Sequence, residues 1–524
     1  MTQVRLRVES EGMPMLLDYV EPTISPEDRA LFDTLVPFDH WTRRADKHFD
    51  FLQLRRAIEN KFKDNGRPAI EPVLFLKLEL LVFHDNLSDN QVFNRTNTDL
   101  AYRKFLGLGR HDYLPTIDTF RKFRARLGPD GHKEIFHALI EQARQYGLVK
   151  DRLRLKDATH VYANIAVPAG IQLIAQARNK LLNAAEPFSK INVEAERVRI
   201  QTIRDSTDSC NNEARLIARV EHLRDIVAWV EDIAEPDDAD NSDAWQKLIA
   251  ATNIAHKVLT GQDDPKAKHK IRSAHDPDAR RGRHGEFYDG YMLDVLVDAD
   301  SELFTSINVL PADGNESADA LTLIEQEQTA HGNDIEQMSI DGAGFDGPTI
   351  RALESEDGPH VDVFVPDRAD SNGGRFTADD FELSEDESHV TCLAGETSEY
   401  KQRDEGRHTT QFRFATSACE LCPFREQCLS KSDQKHGRSV RKNDYQPEYD
   451  LVRTRSQTEE YASVKKEHPK VERRLGDIVN RYGGRRARYR GLDRVRIQEF
   501  LCGTVSNMKR MLRLLDGKSA FAFS

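Results

Sequence analysis

Apolar positions recur at helical spacing through the first third of the chain. An amphipathic run covers residues 41–62, and a nearly continuous apolar run follows at residues 72–84. Ser88 and Gln91 in SDNQVFNRT form a capping-box pattern, spaced so that each side chain satisfies the other's backbone at a helix start. Further helices are predicted at residues 99–106, 117–127 and 132–146, separated by Gly107, Gly109, Pro115 and Gly128. Short helices with polar, basic faces suggest a helix-turn-helix-like DNA-binding region over residues 1–150, the plain alternative being an all-helical packing domain.

Beyond residue 150 the period changes to that of a strand. Leu153, Leu155 and Asp157 of LRLKDATHVYANI share one face, which puts an acid where a third apolar residue is expected. Helical periodicity returns over residues 166–270 and reads as an insertion. Strands resume at residues 291–297 and 303–310, flanking turn residues 298–301 as a β-hairpin. A helix at 317–330, a strand at 337–340 ending on Asp341 in DGAGFDG, and a strand at 361–365 follow. Residues 367–450 are polar and hold most of the cysteines, and a basic helical segment begins near Glu460. This order of strand, hairpin, helix, strand, strand and late helix predicts a mixed α+β, RNase H-like core across residues 151–510. Its parts are a strand at 151–165, the helical insertion, the hairpin, helix and strands at 286–366, the cysteine-containing insertion, and a basic block at 460–510, with a tail at 511–524.

With 524 residues, 38% hydrophobic and 31% charged, the chain has length enough for several domains. The first twenty residues lack a basic start followed by an apolar run, and residues 73–83 are broken by Lys77 and Glu79, which argues against a signal peptide and a membrane span. Six cysteines are too few for a disulfide scaffold and point to a reducing cytoplasm, with nucleoid association if DNA is the partner. A net charge of −13 argues against nucleic acid until its distribution is read. Residues 429–524 carry 23 Lys and Arg against 12 Asp and Glu, a net of +11, which leaves −24 on residues 1–428. Arg481, Arg485, Arg486, Arg488 and Arg490 fall within ten residues beside Tyr482 and Tyr489, a density that suits phosphate oxygens. Residues 40–128 add 17 basic against 11 acidic side chains.

Two-metal phosphodiester chemistry needs carboxylates on rigid elements to hold two ions about 4 Å apart. Asp157 and Asp341 stand on or just after predicted strands of one sheet, and the late helix offers Glu472 in KVERRLGDIVNRYGGRRARYRG. These motifs, with KDATHVYAN, IDGAGFDG and the helical segment FLKLELLVFHDNLSDNQVFNRTNTDLAYRKFLGL, resemble the DDE-type transposases of bacterial and archaeal insertion sequences over most of the chain. The C-terminal block KVERRLGDIVNRYGGRRARYRGLDRVRIQEFLCGTVSNMKRM is the most specific part of the likeness. The resemblance implies that Asp157, Asp341 and Glu472 are the catalytic triad and hold two Mg²⁺ or Mn²⁺. It also implies that Arg121, Arg124, Arg473, Arg474, Arg481, Arg485, Arg486, Arg488, Arg490, Lys509 and Arg510 meet DNA. Activity on two element ends implies a homodimer on double-stranded DNA. Ala158 and Tyr162 depart from the glycine and the acidic or polar residue that relatives often carry, and Glu499 in RIQEF is a rival third acid.

Cys419, Cys422 and Cys428 have the spacing C-x2-C-x5-C, and with Cys392 upstream they could close a structural Zn²⁺ site, free thiols being the alternative. Cys210 and Cys502 stand apart as ordinary thiols. Two other functions stay open: a transposase-derived DNA-binding protein that no longer cuts, and an RNase H-like nuclease that joins nothing.

Overall fold

The structure is a computed structural model that describes residues 15–63, 68–168, 170–236, 242–264, 266–367, 375–430 and 435–521; the last residues of the expected tail, 522–524, lie outside these. Helices α1 (Pro26–Leu35), α2 (Trp41–His48), α3 (Phe51–Ala57), α4 (Pro72–His84), α5 (Asp89–Thr96), α6 (Leu100–Phe105) and α7 (Ile117–Gln145) come first. The single amphipathic run expected over residues 41–62 is broken, because the Asp50 carboxylate accepts the amides of Leu52 at 2.8 Å and Gln53 at 3.1 Å and so starts a new helix. Residues from every side of α4 are buried, as its continuous apolar sequence requires. The capping box opens α5 as expected: Ser88 Oγ accepts from Gln91 N, and Gln91 Oε1 accepts from Ser88 N. The helices expected on either side of Gly128 both form within α7, whose backbone leaves helical geometry at Gly128, where glycine takes φ 58°, just before Pro129.

β1 (Leu153–Tyr162) follows, then α8 (Gly170–Ala185), α9 (Lys190–Ser206), α10 (Asn212–Glu231) and α11 (Ser242–Asp263). These four helices bury a core of their own around Leu181, Leu223, Ile226 and Ala255. β2 (Arg280–His284), which the sequence pattern did not reveal, precedes the expected hairpin of β3 (Glu286–Asp298) and β4 (Phe304–Pro311). Next come α12 (Glu316–His331), β5 (Gln337–Ser339), α13 (Gly347–Glu354) and β6 (Asp362–Phe364).

The strands form a mixed sheet in the order β2-β3-β1-β5-β6, with β4 also on β3. Without β2 this is an antiparallel meander followed by two parallel strands, an RNase H-like core in a mixed α+β chain. By contacts the residues group into two units, 1–150 with 157–315 and 471–524, and 151–156 with 316–470, so β1 gives residues to both.

The cysteine-containing segment, polar as it is, builds a small core of its own. β7 (Glu382–Leu383) pairs with β8 (Val390–Thr391), and β9 (Tyr400–Asp404), β10 (Thr409–Arg413) and β11 (Ser439–Asn443) form a three-stranded sheet. Phe381, Val390, Phe412, Phe414 and Val440 meet beneath these strands, spaced too sparsely in sequence to announce themselves. Between β10 and β11 lie α14 (Thr416–Glu420) and α15 (Arg425–Cys428). The chain closes with α16 (Gln446–Ser456), α17 (Glu459–Glu467), α18 (Pro469–Arg481) and α19 (Leu492–Phe521), the last packed on α7, α4 and β4 and running through most of the expected tail.

Candidate active site

β1 runs parallel to β5 with Leu153, Arg154 and Leu155 opposite Gln337, Met338 and Ser339. Asp157 stands two residues beyond Leu155, and Asp341 two beyond Ser339. The two acids thus leave the paired stretch at matching steps of neighbouring strands. Asp157 is half-buried and accepts a hydrogen bond from Ala158 N at 2.8 Å. Its strand is anchored by buried charge: Arg154 donates to the buried Glu327 carboxylate at 2.6 Å, and the Lys156 ammonium lies 3.6 Å from Glu316.

Asp341 caps the turn at Gly342–Gly344 by accepting from Ala343 N at 2.8 Å. That turn is pinned from both sides, since Ser317 Oγ donates to Ala343 O at 2.5 Å and Lys465 Nζ to Ile340 O at 3.1 Å. Nearby, His468 shares a hydrogen bond with Ser339 Oγ at 3.0 Å. Burial pushes its imidazole down to about 4, helped by the Lys465 and Lys156 cations and opposed by the Asp341 charge. Glu472 sits on the first turn of α18. Val471, Arg474, Leu475 and Ile478 form that helix's buried stripe, which leaves Glu472 on the exposed face. Buried Glu499, the rival third acid, lies on α19 among residues of the helix core.

Much of the basic set serves the fold. Arg124 and Arg474, expected among the DNA contacts, are buried instead: Arg124 holds Glu79 at 3.0 Å and Asp89 at 3.2 Å, and Arg474 holds Asp477 at 2.8 Å and Ser506 at 2.6 Å. Arg485 donates to His160 O at 2.7 Å, Arg488 to Leu87 O at 2.6 Å, and Arg490 to Asn164 O at 3.0 Å. Arg473 and Arg510 share Glu302 at 3.0 and 3.2 Å, Arg481 pairs with Asp477 at 3.2 Å, and Lys509 lies over the Tyr482 ring. Arg486 is exposed, and Arg121 is exposed beside Asp89. A cavity of about 300 Å³ lies between Arg121, Arg124, Tyr489 and Arg494.

Cys392, Cys419 and Cys428 pack against the small core of their segment. Burial pushes the Cys428 thiol up to about 11, with the neighbouring Cys419, Cys422 and Cys392 adding to the rise and Arg438 opposing it. The four thiols are therefore close enough to feel one another. Among the described residues, however, no three His, Cys, Asp or Glu side chains stand in an arrangement that would hold a metal ion. The sequence reading missed Arg281, Arg283 and Phe287 on β2 and β3, for which the alternating arginines around Gly282 in ARRGRHGEF were the available signal.

The sheet thus carries one acid on β1 and another just past β5. Residues 391–512 match the family described as transposase DDE domain, and residues 31–126 match the transposase domain DUF772. Both matches support a DDE-type transposase of insertion sequences. No curated protein and no solved structure matches it. Domains of this family generally use divalent metal ions and act on DNA. No described helix is long and apolar enough to cross a membrane.

Proposed function

We propose that the chain binds the terminal inverted repeats of an insertion sequence and catalyses two-metal strand cleavage and strand transfer on double-stranded DNA. The observation that carries this reading is the pair Asp157 and Asp341 at matching steps of adjacent parallel strands, in a chain of this family. Asp157, Asp341 and Glu472 do not stand in a metal-holding arrangement as the chain is folded here and would have to draw together to hold two Mg²⁺ or Mn²⁺, ions that their hard carboxylate oxygens suit. Bound there, the ions would supply activation of the attacking oxygen and stabilisation of the leaving one. Lys465 and Ser317 hydrogen-bond the backbone of the Asp341 turn, and Arg154, three residues before Asp157 on β1, is held by the buried Glu327 carboxylate. Water attacks the phosphodiester at the element's end and frees a 3′-hydroxyl, which then attacks target DNA in line. In this reading residues 1–150 bind DNA, residues 151–510 carry the chemistry, the protein works as a homodimer on DNA, and its place is the cytoplasm at the nucleoid. Cys392, Cys419, Cys422 and Cys428 would have to draw together to hold a structural Zn²⁺; what favours it is their thiol donors, three of which, Cys392, Cys419 and Cys428, pack on one small core.

The test is Mg²⁺-dependent cleavage of a labelled duplex carrying the DNA that flanks the gene, with wild type compared with Asp157→Ala and Glu472→Gln. Wild type is expected to cut at the element boundary while both variants bind without cutting. Cutting by Asp157→Ala would refute its assignment. Binding without cutting by wild type would favour a DNA-binding protein that has lost catalysis, and hydrolysis without joining would favour a nuclease.

A further inference from the structure

Strands β2 and β3 meet at Gly285, whose φ of 71° makes the tight turn. Their register sets Gly282 opposite Tyr288 on one face, and Arg281 opposite Asp289 and Arg283 opposite Phe287 on the other. The first face is committed inward: Tyr288 is buried, and a side chain at Gly282 would run into the Ala312 carbonyl and the Tyr288 ring. Because side chains alternate along a strand, the second face must then look out to solvent. Phe287 is accordingly 69% exposed, an aromatic ring held in water at a hairpin tip.

Cations flank that ring. The guanidinium of Arg283 lies 5.6 Å from its centroid and that of Arg281 6.0 Å. Asp289 is already engaged by Arg272 at 2.5 Å, with Arg281 sharing it at 3.2 Å, and Arg283 has no carboxylate partner among the described residues, only the Gly285 carbonyl at 3.3 Å. The hairpin lies against the far half of β1: His160 is 5.3 Å from His284 and 5.1 Å from Tyr288, and partly exposed Tyr162 is 6.3 Å from Tyr288. These β1 residues follow Asp157 by three and five positions.

We propose that the β2–β3 hairpin is a DNA contact of the enzyme, in which Arg281 and Arg283 meet backbone phosphates and Phe287 stacks on a base. The inference rests on the transposase reading and adds an element to it. An exposed cation without a carboxylate partner, Arg283, and a second, Arg281, whose carboxylate is shared with Arg272, lower the free energy of a polyanion and release its counterions. An exposed ring beside them offers a stacking platform that any base can use, while the inward face keeps the hairpin rigid. A protein partner would account for an exposed ring but not for the uncompensated Arg283 beside it.

The experiment measures affinity for the element-end duplex described above, and for a random duplex, at salt concentrations from about 50 to 200 mM. It compares full-length wild type with Phe287→Ala, Phe287→Trp and the double variant Arg281→Ala/Arg283→Ala, and records each protein's sedimentation mass without DNA. The double variant should lower the slope of log affinity against log salt by about two, and Phe287→Ala should weaken element-end binding about tenfold at unchanged slope, with Phe287→Trp restoring it. Wild-type slope and affinity in all three variants would overturn the hairpin contact and leave the transposase reading standing. A wild type that binds no duplex would overturn both. A Phe287→Ala variant that changes sedimentation mass but not DNA affinity would show a surface for another copy of the chain and would also overturn the proposal.

Discussion

Replacing Glu499 by Gln separates the two candidate third acids by a change in stability as well as in activity. Glu499 is fully buried on α19, and Gln498 Nε2 donates to its Oε1 at 3.0 Å. Its Oε2 has no hydrogen-bond partner and lies under the backbone of Gly484, where an added Cβ would come within 2.9 Å. Burial therefore pushes the carboxyl up from 4.5 to about 8, against the opposing pull of Gln498 and Arg488. Between these values the folded chain keeps a proton that the unfolded chain releases, so on account of this group stability falls as pH rises. Each pH unit costs about 1.4 kcal/mol, which accumulates to about 3 kcal/mol at pH 7. Glutamine has the same shape, stays neutral and keeps an acceptor for Gln498, so it escapes that cost. In urea titrations Glu499→Gln should match wild type near pH 5, exceed it by about 3 kcal/mol at pH 7 and gain nothing further above pH 8. Mg²⁺-dependent cleavage should survive. A variant less stable than wild type at pH 8, or one that folds normally but cannot cut, would refute the reading of Glu499 as a support residue and return it to contention as the third acid.

Two further outcomes follow from side chains whose roles the structure redistributes. Arg124→Met should destabilise the chain by about 3 kcal/mol, because it strips the buried Glu79 of one of its cationic partners and leaves only His132 at 3.1 Å, whereas Arg121→Ala, 54% exposed, should leave the urea midpoint nearly unchanged while weakening duplex binding. A zinc ion held by the four cysteines should appear as one metal per chain by elemental analysis, and its removal by a strong chelator should lower the thermal midpoint. Folded, metal-free protein with four titratable thiols in that segment would remove zinc from the account.

The sequence pattern was most legible where local chemistry decides the conformation. The Ser88–Gln91 box, the break at Gly128 and the β3–β4 hairpin all follow from a few adjacent residues, and all three stand where those residues put them. The succession of β1, β3, β4, β5 and β6 along the chain needed only the alternation of Leu153, Leu155 and Asp157 and the apolar runs after it. What escaped was decided at long range. β2 is polar along its length, and its strand character comes from pairing with β3 and from the space beneath Gly282, neither visible in RRGRH. The core of the cysteine segment joins Phe381 to Val440 across residues with no periodicity. Burial of Glu499 was hidden for the same reason, since RIQEF gives no sign of which face of α19 the surrounding helices and loop will cover.

Charge was the least transparent signal, and the reason is structural. A dense run of arginines in an otherwise acidic chain reads as a footprint for phosphate, but a guanidinium carries five donors and serves orphan carbonyls equally well. Past the end of β1 the backbone leaves its ladder, and its carbonyls need partners. Arg485 and Arg490 donate to His160 and Asn164 there, while the backbone of Arg485 and Ala487 bonds Tyr162 on both sides. Arg488 does the same for Leu87 at the end of α4, and Gln498 holds the loop through the Arg486 carbonyl and the Arg488 amide. The block is thus a clasp between the first strand, the N-terminal helices and α19, and its arginine density measures how many backbone groups the clasp must satisfy. On the proposed function, phosphate contacts would fall to side chains not spent in this way, Arg486 within the block and Arg121 and Arg283 outside it. Those three come from segments distant in sequence, so a DNA-facing surface built on them would be a property of the folded first unit rather than of its basic C-terminal stretch.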